Sequence, residues 1–121
     1  MPKSSTAKTS SCPKLNINNI GGDIIKANAV YTLRDNKTLK NLVLSQTILH
    51  ASQNTNGHYH EGQEEVYQFI WGTGEMELDD EKFLVQGGDV VLIKDGVFHR
   101  VHNTSNNPLY FVCVFDGKRN H

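Results

Sequence analysis

Cysteine is scarce in this chain of 121 residues: there are two, Cys12 in a polar stretch and Cys113 inside an apolar run. Two such residues without CxxC spacing exclude a disulfide framework and point to a reducing, cytoplasmic setting. Long hydrophobic runs are also missing, and the first residues have no apolar core of signal-peptide length, so neither a membrane partner nor a secretory leader is expected. Charge of one sign is not concentrated anywhere: 12 Lys and Arg balance 13 Asp and Glu for a formal net charge of −1. Without a basic face, nucleic acid is not an expected partner. Helical periodicity is absent as well. No window sustains apolar residues at i, i+3, i+4 and i+7, and the best candidate, residues 33–44, is interrupted by Asn and Thr.

What is present reads as β structure in one domain. The length suits a single core, with residues 1–14 as a polar tail carrying Lys3, Lys8 and Lys14 and residues 15–121 as the folded part. Apolar or β-branched runs of strand length occur at Leu42–Leu49, Glu65–Trp71, 75–78, 82–85, Val90–Ile93, 97–103 and 109–115. They are separated by Gly, Asn, Asp and Ser clusters such as Ser52–Gly57, Gly72-Thr73-Gly74 and Lys94-Asp95-Gly96. The last run, LYFVCVF, is apolar on both faces and should be buried on both. Short strands at this spacing predict an all-β sandwich or barrel. No internal repeat supports a propeller or solenoid.

The chemistry-bearing residues gather in the middle of the chain. His58 and His60 are two apart, so on an extended strand both imidazoles face the same side. Gly57 frees the backbone before them, and the turn at Glu61-Gly62-Gln63 brings Glu65 back on the neighbouring strand. His99, just after Lys94-Asp95-Gly96, completes a set of three imidazoles and one carboxylate. Such a set suits Fe, Mn, Ni or Zn far better than Ca or Mg, and leaves one or two coordination positions for water or substrate.

The segment from Gly57 to Gly72, with His58, His60, Glu65 and Gly72 at the marked places, resembles the first motif of the cupin family, HxHx(3–4)Ex(6)G. The segment from Gly88 to Asn103, with Gly96, His99 and Asn103, is similar to the second, Gx(5)PxGx(2)Hx(3)N, except that Lys94 stands where proline is usual. Counting back from Gly72 selects Glu65 rather than Glu64. The resemblance spans residues 40–115 and implies a single jelly-roll-like barrel (a double-stranded β-helix) with the ligands pointing inward near one mouth, and a homodimer.

The neighbours of these residues divide by parity. Tyr67, Phe69 and Trp71 share the side of Glu65 and are candidates to line a cavity. His102 shares the side of Arg100 and should face away from the metal, while Asn103 is expected to orient a loop. His50 and His121 have no partner spacing, and Cys113 reads as a small buried hydrophobe. Two functional readings stay open. One is a metal-dependent enzyme doing isomerase, epimerase, lyase or dioxygenase chemistry on a small polar substrate such as a sugar or sugar phosphate. In it Glu65 moves a proton, assisted by Tyr67 or His50, and Lys94 and Arg100 attract an anion. The other is a non-catalytic module that holds a metal and a small ligand.

Overall fold

A computed structural model describes residues 14–59 and 61–117. The expected tail up to residue 13, Cys12, His60 and His121 lie outside the described residues. The expected all-β architecture is observed. Among the described residues, nine strands form two antiparallel sheets: β1 (Asp23–Ala27), β2 (Tyr31–Asn36), β3 (Leu42–Leu49), β4 (Glu65–Trp71), β5 (Thr73–Leu78), β6 (Glu81–Gln86), β7 (Val90–Ile93), β8 (His99–His102) and β9 (Leu109–Asp116). One sheet has the order β1-β2-β3-β9-β4-β7 and the other β6-β5-β8.

Alternation along the strands sorts side chains into an inner and an outer face. On β4 the inner residues are Glu65, Tyr67 and Phe69, and on β9 they are Phe111, Cys113 and Phe115, paired in register as Glu65 with Phe115, Tyr67 with Cys113 and Phe69 with Phe111. The inner faces of both sheets meet in one core that includes Leu49, Phe69, Leu109 and Phe111 from the larger sheet and Met76, Val85 and Val101 from the smaller. Burial of these apolar side chains is the main term holding the sheets together.

The outer face of β9 is covered too, as its two-sided apolar pattern predicts. Residues 14–22 run across it: Ile20 is buried, the Tyr110 hydroxyl donates to the Ile17 carbonyl, and the Trp71 indole N–H donates to Asn18 Oδ1 at 3.2 Å.

Three local departures from simple alternation matter for the site. The stretch 33–44 contains no helix; it holds most of β2 and the start of β3, where inward Leu33 and Asp35 alternate with outward Arg34 and Asn36. Trp71 does not share the inner face with Glu65. An extra residue, Ile70, shifts the register between Phe69 and Trp71, so Trp71 pairs with outward Tyr110, as a β-bulge requires. Finally, β8 begins at His99 and not at 97, because Val97 closes a turn onto the Lys94 carbonyl and Phe98 is bound through its N–H by Asp79 Oδ1.

Candidate metal centre

Two of the expected donors stand at the first position of a strand, where the backbone ladder fixes them. Glu65 opens β4 and His99 opens β8, and they are 5% and 2% exposed. His58 comes from the segment 53–58, which runs antiparallel along β8 as a partial fourth strand of the smaller sheet. Isolated bridges pair Asn54 with His102 and His58 with His99, and Thr55 N–H donates to Val101 O at 2.9 Å. Thr55 adds two more ties, accepting from Val101 N–H on its hydroxyl and from Arg100 Nε on its carbonyl. Gly57 is needed here for space: a Cβ at this position would lie 2.0 Å from the Phe98 ring.

The donors converge. One ligand atom from each of His58, Glu65 and His99 lies within 4.8 Å of the other two, and Glu65 Oε1 is 3.1 Å from His99 Nε2. The two imidazole rings meet edge to face with centroids 4.5 Å apart. Each ring has Nδ1 at 3.1 Å from a backbone carbonyl, Asn56 for His58 and Val97 for His99. A carbonyl only accepts, so Nδ1 carries the hydrogen and Nε2 presents its lone pair, the orientation in which protein imidazoles bind metals. Donors about 2.1 Å from one ion and at right angles to each other stand about 3 Å apart, which matches the Glu65 to His99 separation. The donor chemistry therefore fits a divalent transition metal.

The centre opens into a cavity of about 200 Å³ in the barrel, whose wall includes Glu65, His58, Tyr67 and Cys113 together with Ser45, Thr47, Thr55 and Asn56. Tyr67 is buried, stacks on Phe111 at 5.2 Å and presents its ring against His99 at 5.8 Å. Cys113 is a buried thiol on the same wall.

Other sequence candidates are placed elsewhere. His50 and Phe69 do not line the cavity. Lys94 lines a separate hollow with Asp79, Asp80 and Glu81. Arg100 turns outward, with Nε on the Thr55 carbonyl. The expectation that these two cations attract an anion to the mouth is thus not met: Arg100, next to inward His99 on β8, faces outward by strand alternation, and Lys94, past the end of β7, belongs to the other hollow. His102 faces away from the centre, as parity predicts, with Nε2 against Glu77 Oε1. That hydrogen bond holds the Glu77 carboxyl below its ordinary value. On the covered outer face, burial pushes the Tyr110 hydroxyl above its ordinary value. Asn103 orients loops: its amide donates to the carbonyls of Leu49, His50 and Asn107.

Two wall residues have no warning in the motif spacing. Thr55 sits in a stretch that reads only as a turn, and Lys26 in a short, exposed strand without apolar alternation.

Residues 46–115 match the model of a cupin domain. An uncharacterized protein of Methanocaldococcus jannaschii is 37% identical over 70 residues, covering 58% of this chain and 56% of the relative. An oxalate-binding protein of Thermotoga maritima is 33% identical over 57 residues, 47% of each chain. The chain thus spans about half the length of the curated relatives it matches. Among solved structures, the oxalate decarboxylase of Bacillus subtilis, which has Mn(II) centres, superposes with a TM-score of 0.72 at 19% identity, over 82% of this chain and 29% of that one. At that identity the likeness shows the fold.

Proposed function

The chain belongs to the cupin domain family, and from that premise we propose that it is a metal-dependent enzyme acting on a small polar molecule, with a small organic acid favoured over a sugar phosphate. The observation that carries this reading is the convergence of His58, Glu65 and His99, two of which, His58 and Glu65, line a cavity. We assign His60 to the same ligand set. At about 200 Å³ the cavity is below the roughly 300–1,000 Å³ of pockets for drug-sized ligands, which favours a compact substrate. The oxalate named for one relative and the Mn(II) named for one structural neighbour support a short carboxylic acid and a manganese-type ion.

A bound ion would supply Lewis acidity toward a carbonyl, carboxylate or hydroxyl oxygen. The chain's own contributions are positional. Glu65 offers a carboxylate at the reacting end that can also hold a proton, Tyr67 contributes a phenol to the same cavity wall, and the stacked rings of Tyr67 and Phe111 form an aromatic wall on one side. Lyase, isomerase and dioxygenase chemistry all use these parts.

The test is to incubate protein purified without an affinity tag, with its metal quantified, with pooled hydroxy acids, dicarboxylates and sugars, with and without a chelator. Turnover that the chelator stops supports the enzyme. Saturable binding without product supports the second reading, a metal-dependent binding module, which the binding protein among the relatives favours. We also propose a homodimer, supported by Val90 and Leu92 on edge strand β7, which are 60% and 69% exposed. Light scattering should report twice the chain mass, and Leu92→Lys should reduce it to one.

A further inference from the structure

The cavity wall is assembled from two sources. His58, Glu65, Thr55, Tyr67 and Cys113 come from the stretch that matches the cupin domain. Lys26, Tyr31 and Leu33 come from the β1–β2 ribbon that precedes it. Among the described wall residues Glu65 is the only carboxylate and Lys26 the only lysine or arginine, and among the described residues Lys26 forms no ion pair.

Lys26 reaches the wall through a defect in strand pairing. Asp23 pairs with Asp35 and Ile24 with Arg34, then the register shifts and Lys26 pairs with Leu33. Ile25 is the extra residue. Arg34 faces outward and Leu33 inward, so regular alternation from Ile24 would put Ile25 inside and Lys26 outside; the bulge places the lysine inside instead. Bulges re-aim side chains in this way next to binding sites. On an edge strand whose five residues are all exposed, no packing demand explains a cation turned toward the cavity.

We infer that Lys26 is the specificity-determining residue of this site and that the ligand is a small organic anion with two polar ends. One end lies at the donors and the other, a carboxylate or similar anionic group, pairs with the Lys26 ammonium at the mouth. The inference rests on the metal reading given above. With a divalent ion held by a single carboxylate, the ion and Lys26 leave the lining net positive, so the field in the cavity draws anions and disfavours cations. The small volume requires the two ends to be close together, as in a short dicarboxylate or hydroxy acid. Ser45, Thr47 and Asn56, which carry hydroxyl and amide groups, line the same cavity.

The experiment uses the full chain loaded in turn with Mn(II), Fe(II), Ni(II) and Zn(II), and calorimetric titration with oxalate and with malate at low and high salt. Lys26→Gln should weaken both anions about tenfold at low salt and flatten the salt dependence, as loss of a charged hydrogen-bond partner predicts. Lys26→Arg should stay close to wild type, and metal content should be the same in all three proteins. Wild-type affinity and salt dependence in Lys26→Gln would overturn the inference, as would a metal-loaded wild type that binds neither anion. A wild type that takes up none of the four ions sinks the metal reading and this inference with it. Normal uptake with an indifferent Lys26→Gln sinks the inference alone.

Discussion

The candidate metal donors and the β1–β2 ribbon meet at one cavity, lined by His58 and Glu65 from the one and by Lys26, Tyr31 and Leu33 from the other, and are built in opposite ways. Glu65 and His99 are almost wholly buried, each opens a strand, and His58 is tied to β8 by hydrogen bonds in both directions with His99. The ribbon exposes every residue of β1, pairs it only with β2, and turns on Asn28, whose side chain accepts from Val30 and Tyr31 N–H. A buried, doubly bonded frame holds donor geometry to the tolerance that a metal requires. A one-sided edge strand tolerates substitution because few contacts depend on it. On the proposed function, the difference gives metal affinity to the frame and ligand choice to the ribbon.

The largest effect that would break this division is on metal binding. His99→Ala or Glu65→Gln should lower metal affinity by more than about 100-fold, read by metal analysis and chelator competition, whereas Tyr31→Ala in the ribbon should leave it unchanged. Equal loss in both would erase the distinction.

Asn103→Ala should come next, costing about 2–4 kcal/mol in urea unfolding, because three backbone carbonyls lose a buried donor together. Gly57→Ala should cost about 1–3 kcal/mol through overpacking against Phe98. It should also weaken metal binding by displacing His58, and Gly57→Ala with Phe98→Ala should recover both.

The smallest effect is on the outer face. Glu77 titrates below its ordinary value near 4.5 in the folded chain, so its contribution to stability is complete above that value and is lost as pH falls through the lower, folded one. Wild type should therefore lose stability faster than Glu77→Gln in acid melts below about pH 4.5, while their metal contents stay equal.

Much of the frame is legible in the sequence because its strands are apolar on one or both faces and its donors fall at fixed spacings between glycines. Gly72 illustrates why such spacings hold: it has φ 98°, and a Cβ there would stand 2.7 Å from the Pro108 carbonyl. The ribbon is not legible for the converse reason. β1 buries nothing, and β2 puts Asp35 at a buried inward position, so neither shows the apolar alternation that marks a strand. Parity arguments succeed for His102 and Tyr67 and fail for Trp71, and parity would misplace Lys26 too, on one physical ground. Each failure follows an inserted residue, Ile70 or Ile25, and a two-residue period carries no information past such an insertion.

The slack at Ile25 places the ribbon one hydrogen-bonding step from another pairing. Were the looped-out position to move to residue 26, Ile25 would stand opposite Leu33 and the ammonium would leave the threshold, exchanging a charged gate for a greasy one with no change of composition. On the proposed role of Lys26, what the doorway admits would be governed by strand alignment as much as by the residues themselves, and shifting that alignment would retune selectivity while leaving the candidate donors where they are.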